Sequence, residues 1–241
     1  YVVASGDINL DLDYQSTSAL NLDGGTIKNG SLQDALLNLP APGATNSISD
    51  NQAILVDAED PVVNQVYTTK TNGAYRAGEL IDIIVEFSEA VDIAGAPSIT
   101  LATGGANTDV SYSSGTGTSN ITFSYTVGGT DESTDLDYLN TSSLVLNGGT
   151  IKDALLNDAV LTLATPAGPN SISDDKAIVI DNTNPSVVSV DAISPDGGYA
   201  AGAPLSFRVI FDEAVIIASG TPNLTLELGA TDNAAVSSGG A

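Results

Sequence analysis

The stretch IDIIVEFSEAV, Ile81–Val91, decides how the chain is read. Ile81, Ile83, Val85 and Phe87 alternate with Asp82, Ile84 and Glu86, which predicts a strand with one core face and one wetter face. LSFRVIFDEAV, Leu205–Val215, repeats the pattern, with Leu205, Phe207, Val209 and Phe211 inward and Arg208 in the place of Ile84. The repetition runs along the whole chain at an offset of 124 residues, the step from Tyr1 to Tyr125. DLDY at Asp11–Tyr14 recurs at Asp135–Tyr138, LDGGTIK at Leu22–Lys28 recurs as LNGGTIK at Leu146–Lys152, and NSISD at Asn46–Asp50 recurs at Asn170–Asp174. GAYRAG at Gly73–Gly78 becomes GGYAAG at Gly197–Gly202, and one inserted residue near Gly220 makes Pro97 match Pro222. A period this long exceeds a solenoid repeat and fits a whole domain in a tandem array.

Two acidic stretches that end in proline, DAEDP at Asp57–Pro61 and DNTNP at Asp181–Pro185, read as linkers. Residues 58–181 are then one complete repeat, 1–57 the C-terminal part of a preceding one, and 182–241 the N-terminal part of a following one. The two end pieces together lack only the counterpart of about Thr118–Ser124. Beyond Ile81–Phe87, the pattern predicts a strand at Ile121–Val127. Shorter ones are expected at Val62–Tyr67, Ile99–Leu101, Asp109–Tyr112, Leu144–Leu146, Val160–Leu163 and Ala177–Ile180. Asp153–Asn157 reads as a brief helical turn, and Gly, Asn, Ser and Pro fill the gaps as turns require. The expected fold is all-β, a series of tandem β-sandwich domains.

The 241 residues carry 30 acidic and 6 basic groups, a net charge of -24, with no cysteine, methionine, histidine or tryptophan. Such a charge repels nucleic acid and anionic membranes, and it strains the compact state unless cations screen it. No stretch approaches the roughly 20 apolar residues of a membrane span. Without disulfides, an extracellular array needs another staple, and metal is the obvious one. Tyr1 is not a natural start, so the chain is read as a piece of something longer.

The succession of a D…P linker, GxYxxG, xVxFSEAV, GxPxLxL, YSSGxGT, FxYxV, DLDY and LxLxGGTIKDA…N…LTL spans the whole chain. It resembles the immunoglobulin-like repeats of very long, calcium-dependent bacterial surface and adhesin proteins. The resemblance implies tandem immunoglobulin-like β-sandwich domains in an extended array, an extracellular rod that holds an adhesive or anchoring domain away from the cell. The third repeat departs from the pattern by its extra residue near Gly220. The first departs by carrying NGSLQDALLN at Asn29–Asn38 where the second has DALLND.

Strand direction places the acidic groups. If successive strands alternate, Ile81–Phe87 returns toward the preceding linker and leaves Glu89 beside it. The loop after Val127 then lies at the opposite end, next to the following linker. One joint would gather Asp11, Asp13, Asp57, Glu59, Asp60 and Glu89, and the other Asp135, Asp137, Asp181, Asn182, Asn184 and Glu213. Carboxylates and amides converging from three segments make an all-oxygen site that suits structural calcium, whereas magnesium demands stricter geometry. Asp131 and Glu132 read as ordinary surface loop.

The remaining motifs have plainer readings. GGTIK lacks the spacing of a phosphate loop and reads as a turn into a strand. Tyr14 and Tyr138 read as packing residues, Tyr75 and Tyr199 as turn anchors, and Lys28 and Lys152 as partners of a nearby carboxylate. Catalysis has no support, because no histidine or cysteine is present and the acids recur in every copy. The expected role is a calcium-stiffened extender whose partners are neighbouring repeats. The rivals are a glycan- or protein-binding module using the loops at 104–119, with Tyr112 as its aromatic anchor, and a filament subunit that pairs with copies of itself.

Overall fold

The computed structural model describes residues 1–229 and 232–237. The strand that begins with the alternating run is longer than the alternation predicts, Leu80–Ala94. Ile81, Ile83, Val85 and Phe87 are all buried, so the expected core face is the real one. Its register breaks between Glu86 and Val91, and its partner on one edge changes there. Before the break it pairs antiparallel with Val63–Thr68, and after it Asp92–Ala94 pairs with Thr150–Lys152. Its other edge pairs with Thr118–Thr126.

From Thr118–Thr126 the sheet continues through Thr108–Ser114 and Ser98–Leu101 to Leu144–Val145. Ile99 and Leu101, near the end of that path, share one core cluster with Ile81, Ile83, Phe123 and Ile151. A flat sheet would hold these side chains apart, so the path must fold over on itself. Leu136, Tyr138, Leu163, Ile172, Ile178 and Ile180 complete the core. The architecture is predominantly β, as expected.

Several boundaries differ from the sequence reading. Val160–Leu163 is not a strand, and Val160 makes a single parallel bridge to Val62. Asp153–Asn157 is a turn rather than a helix. The two described helices are the single turns Ile48–Asn51 and Ile172–Asp175, signalled by NSISD. Ser171 Oγ accepts the Asp174 N–H, while the Asp174 carboxylate accepts the Asn170 N–H, a reciprocal cap. In LNGGTIK, Asn147 and Gly148 both take positive φ, as the central residues of a tight primed turn do. A Cβ on Gly149 would lie 2.3 Å from the Ala94 carbonyl oxygen, so glycine lets the turn enter the sheet.

The chain divides into two compact units, Tyr1–Asn182 and Thr183–Ala241. Residues 1–57 belong to the same unit as residues 58–181. Each end piece copies part of the middle one. Ile8–Asn9 pairs with Val56–Asp57, as Ser133 bridges Ile180. Val187–Ala192 pairs with Phe207–Phe211, as Val63–Thr68 pairs with the long strand. Asn223–Leu226 pairs with Asn233–Val236 in the register of Ser98–Leu101 with Thr108–Ser114, so the extra residue near Gly220 does not disturb the ladder. In residues 1–57 the core face is open: Ile48 and Ile54 are 40% and 38% exposed, against 0% for Ile172 and Ile178.

Candidate metal centre

Three carboxylates meet where residues 1–57 join the middle repeat. Asp57 closes the strand Val56–Asp57, Glu89 sits in the register break of the long strand, and Asp153 follows Thr150–Lys152. One oxygen from each lies within 4.8 Å of the others. Asp153 is buried, and Asp57 and Glu89 are half-buried. Glu89 lies between the segment held by Val63–Thr68 and the segment held by Thr150–Lys152. Breaks in a ladder re-aim side chains in this way.

Asp153 is fixed by its own loop. Its Oδ1 accepts the N–H groups of Leu155 at 2.9 Å and Asn157 at 2.8 Å. The Asn157 amide donates to Asp153 Oδ2 at 2.6 Å and to the Asp57 carbonyl at 3.1 Å, tying the loop to the linker. Burial, reinforced by the charges of Asp57, Asp153 and Glu59, raises the pKa of Glu89. Lys152, the basic residue next to Asp153 in sequence, is engaged with Asp158 at 2.6 Å. Converging hard oxygen donors with surplus negative charge suit a divalent cation of the calcium or magnesium type, and they do not suit zinc, which favours nitrogen and sulfur.

Of the acids expected at this joint, the structure brings Asp57 and Glu89 together and adds Asp153, which the sequence reading placed at the start of a helical turn. Glu59 is close enough for Glu89 to feel its charge. Asp11 and Asp60 are exposed. Asp13 is taken up by protein donors: the N–H groups of Tyr14 and Gly43 and the Ser49 hydroxyl at 2.7 Å. Desolvation pushes the Asp13 pKa up, but these hydrogen bonds and one from Ser47 outweigh it and hold the carboxyl well below its usual range.

At the other end Asp137 repeats that arrangement, accepting from Tyr138 N–H, Ala167 N–H and the Ser173 hydroxyl while fully packed in the domain. Protein donors thus account for both Asp13 and Asp137 as braces of the loop that leads into each short helix. Asp135 is exposed and accepts the Ile178 N–H. Asp131, read as surface, is buried instead and accepts the Tyr125 hydroxyl at 2.7 Å and the Gly128 N–H at 2.8 Å. A Cβ on Gly128 would meet that carboxylate at 2.9 Å.

Asn182 spends its side chain on protein groups. Its Oδ1 accepts the Ala77 N–H, and its Nδ2 donates to the carbonyls of Gly128 and Asp131. Asp181 lines an open depression with Glu132, Thr134 and Val179. Asn184 and Glu213 fall in the second unit.

The aromatic candidates are packed. Tyr138 donates to the Ala164 carbonyl and Tyr14 to the Pro40 carbonyl. Tyr112 lies edge-on to Phe123 at 6.3 Å, and its hydroxyl accepts the Thr116 N–H. Lys28 pairs with Asp34 as Lys152 pairs with Asp158. No described helix is long and apolar enough to cross a membrane. Comparison with protein-family models, curated proteins and solved structures finds no match.

Proposed function

We propose that the chain is part of a tandem array of immunoglobulin-like sandwiches. The array acts as a structural extender on a bacterial surface or in a secreted matrix, and calcium stiffens its joints. The observation that carries this reading is the meeting of Asp57, Glu89 and Asp153 at the boundary between one repeat and the next. Asp57 is the last residue of the preceding repeat, whereas Glu89 and Asp153 belong to the following one. A cation held by all three would bind the two together, cancel their mutual repulsion and remove hinge freedom. Three carboxylates supply up to six oxygens, and water completes the six to eight that calcium takes. The repeated domain plan and the net charge of -24 favour the same role.

Calorimetric titration of the 241-residue chain with calcium, paired with small-angle scattering, tests the reading. The expected result is stoichiometric binding with a longer or stiffer particle, both lost in a Glu89→Gln/Asp153→Asn variant. Absence of binding at millimolar calcium, with scattering unchanged, would sink it. Magnesium titrated under the same conditions should bind more weakly, because it demands near-ideal octahedral geometry and gives up its waters reluctantly.

A further inference from the structure

The last strand of the middle repeat, Ile178–Ile180, pairs in parallel with an early one, Gly73–Tyr75. In a parallel pair both strands start at the same end. Tension on the N-terminal side of the repeat drags Gly73–Tyr75 toward its own start. Tension on the C-terminal side drags Ile178–Ile180 toward its own end. The strands are therefore displaced lengthwise in opposite senses, and the hydrogen bonds between them take the load together rather than one after another. We infer that the repeat is a force-bearing element whose early and late strands form a shear clamp between the points where the chain enters and leaves. This rests on the extender reading only in taking tension to pass along the chain.

The clamp is fastened beyond the three paired residues. Gly73 N–H donates to the Ala177 carbonyl at 3.1 Å, and Asp181 N–H to the Tyr75 carbonyl at 3.0 Å. On its other edge the late strand exchanges two hydrogen bonds with Ser133, at 2.8 and 2.9 Å, and accepts the Leu136 N–H at Ile178. Ile178 and Ile180 are buried, so sliding also drags apolar side chains out of the core. At the exit, Asn182 hooks three backbone groups with its side chain: Ala77 N–H at 2.5 Å, the Gly128 carbonyl at 3.0 Å and the Asp131 carbonyl at 2.7 Å.

The entry is held in the same sense. Val62 bridges Val160 in parallel, Val160 N–H donates to the Pro61 carbonyl at 2.8 Å, and Ser88 exchanges hydrogen bonds with Val62 through its hydroxyl and its N–H. Val63–Thr68, pulled from its start, must likewise slide along the long strand. Early and late segments are thus cross-connected at both points where force arrives. Neither can be peeled from a free end while the load comes through the chain.

Single-molecule force spectroscopy decides the matter, and the lack of cysteine allows handles to be placed at will. The intact chain is pulled first through handles at its two ends. A Thr71→Cys/Asp175→Cys variant is then pulled through those exposed positions, which lie at the start of both parallel strands and so load them for unzipping. The end-to-end pull should unfold the middle repeat in one event. That event should release about 120 residues, roughly 400 Å at 3.3–3.6 Å each, at a force several-fold above that of the cysteine geometry.

Asn182→Ala should lower the first force and leave the second unchanged. Equal forces in the two geometries would overturn the clamp, as would an Asn182→Ala chain as resistant as the original. Both pulls are made in calcium and in EDTA. Loss of calcium binding with the directional difference intact would defeat the calcium joint alone, and binding without any directional difference would defeat the clamp alone.

Discussion

The substitution Glu89→Gln keeps the shape of a side chain in the register break while removing one of three charges at the joint. At 4.8 Å, two unit charges repel by about 0.9 kcal/mol at the dielectric of water and by about 3.5 kcal/mol at an effective dielectric of 20. Glu89 and Asp57 are half-exposed, so the screened figure governs. Two of the three repulsive pairs include Glu89, and deleting them stabilises the calcium-free chain by about 2 kcal/mol. For a repeat of this size, that is a rise in melting temperature of about 8 °C. The same change should cost the chain its response to calcium, worth about 2.7 kcal/mol at a concentration one hundred times the dissociation constant. The two effects have opposite signs, which a merely structural role for Glu89 would not produce. Thermal unfolding in EDTA and in calcium reads both. A Glu89→Gln chain less stable than the original in EDTA, or one that calcium still stabilises equally, would refute the reasoning.

Asp137→Ala leaves two backbone N–H groups and a hydroxyl without their acceptor in a packed site, and should destabilise the middle repeat by about 3 kcal/mol. Calcium stoichiometry at the joint, followed by calorimetry, should not change. Asn157→Ala keeps all three carboxylates but unties Asp153 from the linker, so calcium affinity should fall while the calcium-free melting temperature moves little. The raised pKa of Glu89 fixes the sign of the pH effect. Its favourable contribution to the calcium-free fold is complete below its ordinary value of 4.5 and is lost as pH rises through the raised one. Calcium competes with that proton, so calorimetry should show binding weaken as pH falls through the same range and recover on neutralisation. Asp13, held below its usual range by hydrogen bonds, behaves oppositely: its contribution is present above pH 3.8 and disappears on acidification.

The core strand was legible because Ile81, Ile83, Val85 and Phe87 keep a strict period of two, and all four are buried. Its continuation to Ala94 was hidden because Glu89, inside the break between Glu86 and Val91, puts a carboxylate where the alternation calls for an apolar side chain. Val91 is buried and Ile93 packs against the core, both in step with Ile81–Phe87 when the period of two is carried on through position 89. The same break places Glu89 beside Asp57, a position that the alternation of strand directions did predict. Periodicity records which side chains share a face. It does not record where a ladder is interrupted to turn one of them elsewhere.

Asp153 escaped notice for a related reason. NGSLQDALLN and DALLND look like different loops when their shared DALLN is aligned, yet the 124-residue offset is never broken there. Leu32 and Leu156 both take positive φ, and Lys28–Asp34 and Lys152–Asp158 form matching ion pairs. In that register the counterpart of Asp153 is Asn29. Asn29 Oδ1 accepts the N–H groups of Ser31 at 2.9 Å and Gln33 at 3.0 Å, as Asp153 Oδ1 accepts those of Leu155 and Asn157. A neutral amide therefore shapes this loop as well as a carboxylate does. Asp13 and Asp137 differ, since both copies keep the charge and both use it on protein donors. The negative charge of Asp153 is surplus to folding. It stands where Asp57 and Glu89 make it costly, and a cation at the joint would turn that cost into attachment.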